Sequence, residues 1–209
     1  MTSRSCVHIV DDEETVLRSV SFAVAAVGYA ARVYASADQF LEGLETLEDG
    51  CVVTDLQMPR LDGIALLGRL DAAGVRLPVV VMSGKADVAL AVEAMKCGAA
   101  DFLEKPFSTK TLMAAIGGAL SRTQQHPAGA ENAAGAENAA LHRRRLAGLS
   151  PRQHEVLNAV VQGKSNKQIA RDLGISPRTV EFHRAELMGR TQASNLSELI
   201  RLSLLAQAG

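Results

Sequence analysis

Two spacings of apolar residues alternate along the first part of the chain. Short apolar runs typical of buried β-strands are each followed by a longer stretch with helical spacing. Strands are predicted at residues 6–10, 31–35, 51–55, 77–84 and 100–105. Helices are predicted at 14–28, around ADQFLEGLETL with a cap at Ser36 or Asp38, and in GIALLGRLDAAG, ADVALAVEAMKCG and STKTLMAAIGGALSRT. This alternation predicts an α/β fold, a doubly wound five-stranded parallel sheet with helices on both faces.

The pattern changes near residue 149, after which only short helices are predicted. Two of the four segments, SPRQHEVLNAVVQG and SPRTVEFHRAELMGR, begin with a serine cap followed by proline, and the others are SNKQIARDLG and NLSELIRLSLLAQ. Gly163 and Gly174 end the first two helices. Because LGIS joins two short helices through a glycine-containing turn, a small all-α helix-turn-helix domain is expected.

A tandem repeat separates the two patterns. AGAENA occurs at 128–133 and again at 134–139. It has no apolar face, and each copy carries a glycine, so we expect a semi-flexible or part-helical linker. The predicted organisation is a first domain at 1–122, a linker at 123–144 and a second domain at 145–209.

Composition narrows the class of protein. Hydrophobic residues make up 47% of the chain and charged residues 22%, which is typical of globular domains. No run of eighteen apolar residues and no signal peptide is present, so we predict a cytoplasmic protein without a membrane span. Cys6, Cys51 and Cys97 lie in apolar surroundings and are expected to be buried thiols rather than a disulfide or metal site.

Charge is distributed unevenly along the chain. Residues 1–126 carry 11 basic and 16 acidic side chains, whereas residues 141–209 carry 11 basic and 5 acidic ones. An acidic first half and a basic second half suggest that the second domain faces a polyanion, although solvated charge alone produces similar asymmetry.

Acidic residues follow two of the predicted strands. Asp11 and Asp12 end the first strand and Asp55 ends the third, so the three carboxylates are expected to converge at the carboxyl edge of the sheet. Hard oxygen ligands in that number suit Mg²⁺. Lys105 and Ser83 end the fifth and fourth strands and add a cation and a hydroxyl. Together these groups suit the stabilisation of a phosphoryl group.

The motif DD…D-x-x-x-P-x-x-D-G…SG…KPF makes residues 1–122 resemble a response-regulator receiver domain with a flavodoxin-like fold. The resemblance implies that Asp55 accepts a phosphoryl group from the phosphohistidine of a sensor histidine kinase. It also implies that Asp11 and Asp12 hold Mg²⁺ with Asp55 and the backbone carbonyl of Gln57, and that Lys105 pairs with the phosphoryl group.

Further positions take their roles from the same resemblance. Pro59 and Gly63 would shape the loop after Asp55, and a cis peptide bond would join Lys105 to Pro106. Ser83 would move toward the phosphoryl group and make space for Phe102, the switch aromatic. That movement would repack the face made by helix 86–97 and the fifth strand. Small exposed residues of this helix suit a homodimer formed on phosphorylation.

Residues 149–205 resemble the LuxR-type helix-turn-helix of the FixJ/NarL family of two-component response regulators. The matching text is LSPRQHEVLNAVVQGKSNKQIARDLGISPRTVEFHRAELM. The order of receiver, linker and tail is most similar to FixJ regulators, which control nitrogen-fixation and microaerobic genes. This resemblance implies an oxygen-sensing kinase, double-stranded promoter DNA and RNA polymerase as partners, and transcriptional activation.

The helix at 177–190 is predicted to read DNA. Val180 and Leu187 fall on its buried face, and the opposite face reaches base edges. The candidate DNA-binding residues are Lys164, Asn166, Lys167, Arg178, Thr179, Glu181, Phe182, His183 and Arg184. Of these, His183 contacts phosphate or fills a helix junction. The HRRR segment at 142–145 adds electrostatic attraction or is a solvated end of the linker.

Two other functions are weighed against this one. A haloacid-dehalogenase type of phosphatase also uses an aspartate nucleophile with Mg²⁺, but it places a second aspartate two residues later, where this chain has Gln57. We therefore do not expect an enzyme. A DNA-binding regulator that works without phosphorylation is the other alternative.

Overall fold

The structure is a computed structural model that describes residues 5–85, 87–125 and 140–207. The chain forms two compact units, one containing the β-sheet and one containing the C-terminal helices. Each unit is described by itself below.

The sheet has five parallel strands in the order β2-β1-β3-β4-β5. The strands are β1 (Cys6–Val10), β2 (Ala30–Tyr34), β3 (Gly50–Asp55), β4 (Val79–Ser83) and β5 (Asp101–Glu104). The predicted strand order along the chain and the parallel sheet are confirmed, with ends displaced by one or two residues. Strands β1, β3 and β4 are buried along their whole length and are mostly apolar, with His8, Thr54, Asp55 and Ser83 as their buried polar residues, whereas β2 is an exposed edge strand.

The helices that alternate with these strands along the chain are α1 (Glu14–Ala26), α2 (Ala37–Glu42), α3 (Gly63–Ala72), α4 (Val88–Lys96) and α5 (Thr109–Gln125). A short 3₁₀ turn follows α2 at Leu44–Thr46. Ser36 is the residue that caps α2, since its side chain accepts a hydrogen bond from the Gln39 backbone N–H. One core cluster joins the apolar faces of α1 and α5 to the sheet, and it includes Ile9, Val20, Val53, Met82 and Ile116.

The order of the strands creates the switch point at which a parallel sheet binds ligands. Strand β1 lies between β2 and β3, and Val10 is in register with Thr54. Asp11 and Asp55 therefore lie beside each other at the same edge of the sheet. At the other side of β3, the Lys105 N–H donates to the Ser83 carbonyl at 2.7 Å, which brings the end of β5 to this edge. The peptide bond between Lys105 and Pro106 is cis, as expected.

The C-terminal unit contains α6 (Pro151–Val161), α7 (Asn166–Leu173), α8 (Pro177–Thr191) and α9 (Leu196–Gln207). Ser150 and Ser165 form capping boxes with Gln153 and Gln168, and Ser176 caps α8. Gly174 ends α7 in the left-handed conformation, with φ of 64°. Its turn leads directly into α8, so the predicted helix-turn-helix is confirmed.

Some expectations need correction. Cys6 and Cys51 are buried free thiols, but Cys97 is exposed because it lies just beyond the end of α4 rather than inside it. Ala91 and Ala94 of α4 are buried, so the small residues of this helix are only partly available at its surface.

The linker prediction is only partly covered by the described residues. Residues 123–125 belong to α5 and residues 140–147 are helical, while residues 126–139, including the tandem repeat, lie outside the described part of the chain. No helix within the described residues is long and apolar enough to cross a membrane.

Candidate functional site

A lysine connects two buried carboxylates at the carboxyl edge of the sheet. The Lys105 ammonium lies 2.6 Å from Asp55 Oδ1 and 2.8 Å from Asp11 Oδ2. Asp11 is fully buried and Asp55 is 6% exposed. The three side chains come from the ends of three different strands, as the sequence predicted.

Backbone N–H groups satisfy the remaining carboxylate oxygens. Asp55 Oδ2 accepts from the Gln57 N–H at 2.6 Å, and Asp11 Oδ1 accepts from the Glu13 N–H at 2.9 Å. Glu13 was not predicted from the sequence, and its position two residues after Asp11 repeats the spacing of Gln57 after Asp55. This aspartate followed by a turn is the sequence signal that would have identified both donors.

The electrostatics of the pocket are set by burial and by Lys105. Loss of solvent raises the pKa of Asp55 above its ordinary value, although the hydrogen bonds from Lys105 and Gln57 oppose this shift. Burial alone would lower the pKa of Lys105, but its hydrogen bonds to Asp11 and Asp55 outweigh that effect and raise it. Lys105 is therefore a permanent cation beside Asp55.

Gly63 closes the loop that follows Asp55. Its N–H donates to the Leu56 carbonyl at 3.0 Å, and a Cβ at this position would lie 2.5 Å from the Asp55 carbonyl oxygen. Any side chain at this position would push the loop away from Asp55. Asp62 then caps α3 by accepting from the Ala65 N–H at 2.7 Å. The predicted shaping role of Gly63 thus has a steric basis.

The third predicted carboxylate is placed differently from the first two. Asp12 is exposed, and no group of three acidic, histidine or cysteine side chains in the described residues is arranged to hold a metal ion. The oxygen chemistry of the pocket nevertheless fits Mg²⁺, because Asp11 and Asp55 offer hard carboxylate oxygens at this edge and Asp12 follows Asp11 directly in the chain. Receiver domains generally bind Mg²⁺ in such an acidic pocket.

Asp12 also lines a cavity of about 300 Å³ that the sequence did not indicate. The cavity lies between α2 and the loop after β3, and its rim includes an ion pair of 3.5 Å between Arg60 and Asp38. Arg60 has a positive φ of 69°, which is unusual for a residue other than glycine. The cavity gives Asp12 free space beside the pocket.

The structure places Ser83 and Phe102 on neighbouring strands. Ser83 is fully buried, and its hydroxyl is bonded to Lys85, accepting from the N–H at 3.2 Å and donating to the carbonyl at 3.3 Å. Phe102 is half-buried on β5, where it is in register with Val81 of β4. The hydroxyl of Ser83 is therefore hydrogen-bonded to the loop that follows β4.

Helix α8 has one buried face and one exposed face. Val180 and Leu187 are fully buried, and Ile169 and Ala170 of α7 are buried beneath them. On the outward side, Phe182 is 60% exposed, and Arg178, Glu181 and Ala185 are also exposed. The predicted division of this helix into two faces is confirmed.

The basic candidate residues around α8 differ in solvent exposure and in whether their side chains are paired with other residues. Lys167 and Arg178 are exposed. Lys164 is paired with Asp172 at 2.7 Å. Arg184 donates to Asn166 Oδ1 at 2.6 Å, and burial lowers its pKa, an effect that Glu181 opposes. Arg184 and Asn166 thus connect α8 to α7, a contact that the sequence did not reveal.

Two further candidates lie at the base of α8. Thr179 belongs to the cap, since its N–H donates to Ser176 Oγ at 3.1 Å. His183 is half-buried, and its Nδ1 lies 3.7 Å from Glu186 Oε2, an oxygen that accepts a hydrogen bond from the Gln153 side chain of α6 at 3.1 Å. This places His183 at a helix junction, one of its two predicted roles.

Comparison with known families assigns both parts of the chain. Residues 7–117 match the response regulator receiver domain, and residues 147–203 match the bacterial regulatory proteins of the luxR family. The chain is 46% identical over 200 residues to the transcriptional regulatory protein FixJ of Azorhizobium caulinodans, covering 96% of this chain and 92% of that protein. It is 44% identical over 206 residues to FixJ of Bradyrhizobium diazoefficiens, covering 99% and 98%.

A solved structure agrees with these matches. The crystal structure of full-length FixJ from B. japonicum is 42% identical in sequence, with a TM-score of 0.57 and full coverage of both chains. The crystal structure of FixJ-N, at 42% identity and a TM-score of 0.55, covers 57% of this chain and 96% of that one.

Proposed function

The chain belongs to the FixJ family of response regulators, with a receiver domain and a LuxR-type DNA-binding domain, and we propose that phosphorylation of Asp55 controls its binding to promoter DNA. The phosphoryl group comes from a partner histidine kinase. The domain boundaries that we propose are 1–122 for the receiver, 123–144 for the linker and 145–209 for the DNA-binding domain.

The position of the Lys105 ammonium carries this proposal, since it touches both Asp55 and Asp11. A carboxylate oxygen of Asp55 forms a bond to phosphorus as the phosphorus–nitrogen bond of the phosphohistidine breaks and the imidazole leaves with the electron pair. Negative charge is spread over the phosphoryl oxygens during this transfer, and a fixed cation stabilises it. Lys105 supplies that cation, and the Gln57 N–H orients the carboxylate.

Mg²⁺ is the proposed cofactor of this pocket. Asp11, Asp12, Asp55 and the backbone carbonyl of Gln57 would hold it, and the ion would neutralise part of the charge on the phosphoryl oxygens. Support comes from the hard-oxygen donors at this edge and from the free space beside Asp12. The residue two positions after Asp55 is Gln57 rather than a second acid, which favours a stable phosphorylated state over turnover of external substrates.

Coupling to the rest of the molecule is proposed to run through Ser83 and Phe102. The hydroxyl of Ser83 would leave its bonds to Lys85 for the phosphoryl group, and the ring of Phe102 would follow into the vacated space. The surface formed by α4 and β5 would then bind a second copy of the chain. A Ser83→Ala variant is expected to be phosphorylated normally but to show a smaller increase in mass by light scattering.

DNA contact is proposed for the outward face of α8 and the basic residues around it. Phosphate contacts from Lys164, Lys167 and Arg178 would position the helix, and Glu181 and Phe182 would reach base edges. Asn166, Thr179, His183 and Arg184 would support these residues through the contacts described above. Dimerisation would place two such helices on the two halves of a site.

The regulated genes are proposed from the relatives. The similar proteins include FixJ from Azorhizobium caulinodans and from Bradyrhizobium diazoefficiens. We propose that this protein acts in the cytoplasm with an oxygen-sensing kinase and RNA polymerase to activate nitrogen-fixation or microaerobic genes.

Intact mass measurement tests the central step. Full-length protein incubated with acetyl phosphate and Mg²⁺ should gain the mass of one phosphoryl group, and Asp55→Asn should gain none. Asp101→Asn is the matched control, because Asp101 is a buried aspartate of the same sheet whose side chain accepts from the Phe102 backbone N–H. Full labelling of Asp55→Asn would refute the acceptor assignment. Equal DNA affinity with and without the phosphoryl group would favour the phosphorylation-independent alternative.

A further inference from the structure

The exposed stripe of α8 combines a cation, a carboxylate and apolar side chains. Its members are Arg178, Glu181, Phe182 and Ala185, whose spacing puts them on one side of the helix. A phenylalanine with 60% of its surface exposed contacts water at a cost, and a carboxylate on a face turned toward a polyanion is repelled. Both costs are reduced when each side chain meets a suitable chemical partner on the DNA.

The ring of Phe182 contacts the ring of its neighbour in the chain, His183. Its centroid lies 5.8 Å from that of the His183 ring, with the two planes at 62°. His183 is half-buried against the domain, so it supports one side of the phenylalanine and leaves the other side exposed. The major groove offers one apolar group that fits such a surface, the C5-methyl of thymine. Ala185, one turn further along, extends the same apolar strip.

Glu181 requires a different partner. An ionised carboxylate accepts hydrogen bonds and donates none, so it needs an amino group on a base edge. Cytosine presents its N4 amino group, whereas adenine places the N7 acceptor beside its N6 amino group and repels a carboxylate. The neighbouring guanidinium of Arg184 interacts favourably with Glu181 and reduces its repulsion from phosphates.

We propose that each half-site bound by this protein carries a thymine whose methyl group packs against Phe182 and Ala185, and a cytosine whose amino group donates to Glu181. The inference rests on the proposed function, because it assumes that the outward face of α8 enters the major groove. It adds the identity of two bases that the helix selects.

Selection from a random duplex library identifies the half-site. Full-length protein treated with acetyl phosphate and Mg²⁺ is used to enrich binding sequences, which are then sequenced. A half-site with at least one invariant A·T pair and one invariant G·C pair supports the inference, and the base substitutions described below then identify the thymine and the cytosine that are contacted. An enriched site without them overturns the inference and leaves the proposed function standing, and failure to enrich any sequence overturns both.

Single-atom changes in the DNA test Phe182. Each thymine of the selected site is replaced in turn by deoxyuridine, which lacks only the methyl group. At one position per half-site, wild-type affinity should fall about fourfold, the effect of one buried methyl group. Phe182→Ala should bind the thymine and uracil duplexes equally. The control is Phe22→Ala, which removes another exposed phenylalanine, 78% exposed on α1, and should keep the fourfold difference.

A change of base preference tests Glu181. Glutamine pairs with the N6 and N7 of adenine, so Glu181→Gln should shift the preference at the cytosine position toward adenine. Retention of cytosine by Glu181→Gln would overturn the role of Glu181. A Phe182→Ala variant that still distinguishes thymine from uracil would overturn the role of Phe182. Both side chains are exposed, so neither substitution removes a core contact.

Discussion

The acidic pocket at the sheet edge and the outward face of α8 both carry charged side chains, but the pocket buries them and the helix face exposes them. In the pocket, Asp11 and Asp55 are buried, and Lys105 and backbone N–H groups satisfy their oxygens. On α8, Arg178 and Glu181 are exposed to solvent. The stability of the pocket therefore depends on a few contacts that share partners. The affinity of α8 for DNA, in contrast, is expected to be the sum of many separate contacts. Single substitutions should have large effects in the pocket and graded effects on α8.

The largest expected effect is that of Lys105→Met. This change leaves two buried carboxylates without their shared cation, and removing one partner of a buried ion pair costs about 3–5 kcal/mol. Hydrogen exchange of the β1 and β3 amides, followed by mass spectrometry, measures the loss in the receiver alone. Lys110→Met, at an exposed position of α5, should leave exchange unchanged.

A second substitution sharpens this result. Adding Asp55→Asn to Lys105→Met should restore part of the lost protection, because the neutral amide no longer repels Asp11. If the double variant exchanges as fast as Lys105→Met, the instability does not come from the unpaired carboxylates.

Asp12→Ala should affect metal binding without affecting stability, since Asp12 is exposed. Loss of an outer-shell partner weakens metal binding by about 10–100-fold, and loss of a direct ligand should weaken Mg²⁺ affinity by at least about tenfold. Isothermal titration calorimetry of the full-length protein measures this affinity. Asp38→Ala, on the rim of the same cavity, is the matched control, and an equal loss there would indicate only a general charge effect.

His8 extends the contrast to a buried group that lies outside the pocket. Its ring bonds to the Tyr34 hydroxyl and the Glu48 carbonyl, and burial lowers its pKa below the ordinary value. Below about pH 6.5, His8 binds a proton in the unfolded chain but remains neutral in the folded chain until the pH reaches its lower folded-state pKa. The stability from His8 is present above this pH and is lost as the pH falls toward the folded pKa.

The free energy of unfolding should fall by at most about 1.4 kcal/mol per pH unit between the unfolded-state and folded-state pKa of His8. Hydrogen exchange of the receiver, corrected for intrinsic exchange rates, measures it between about pH 8 and about pH 5, the range in which histidine ordinarily titrates. His8→Gln should flatten the dependence, and His154→Gln in the other domain should not. A slope that survives in His8→Gln would assign the effect to other groups.

The smallest effect is expected from Arg178→Ala on DNA binding. One phosphate contact contributes about 0.9 to the slope of log affinity against log salt concentration, so the slope should decrease by about that amount on every sequence. Fluorescence anisotropy with a labelled duplex gives the slope. Arg76→Ala, which removes an exposed arginine of the receiver, should leave it unchanged. A loss confined to one sequence would mean that Arg178 reads a base.

Much of the fold was predictable because its signals are local. A helix cap or a helix stop depends only on the few residues around it. The helices of the C-terminal unit accordingly begin and end where the serine caps, the prolines and Gly174 predict. Cys97 shows the limit of this reasoning. Apolar neighbours suggested burial, but its exposure depends on the residue at which α4 ends, and helix ends are decided by packing as well as by sequence.

The sequence by itself determined the order of the elements, the convergence of acidic residues at one sheet edge and the two faces of α8, because strand and helix periodicity decide which side each residue occupies. Only the tertiary structure decided which groups touch. Lys105 reaches Asp11 across 94 residues of chain, and Arg184 turns toward Asn166 instead of toward solvent. Such contacts depend on how separate elements pack and on the burial that follows, and neither is encoded in the neighbouring residues.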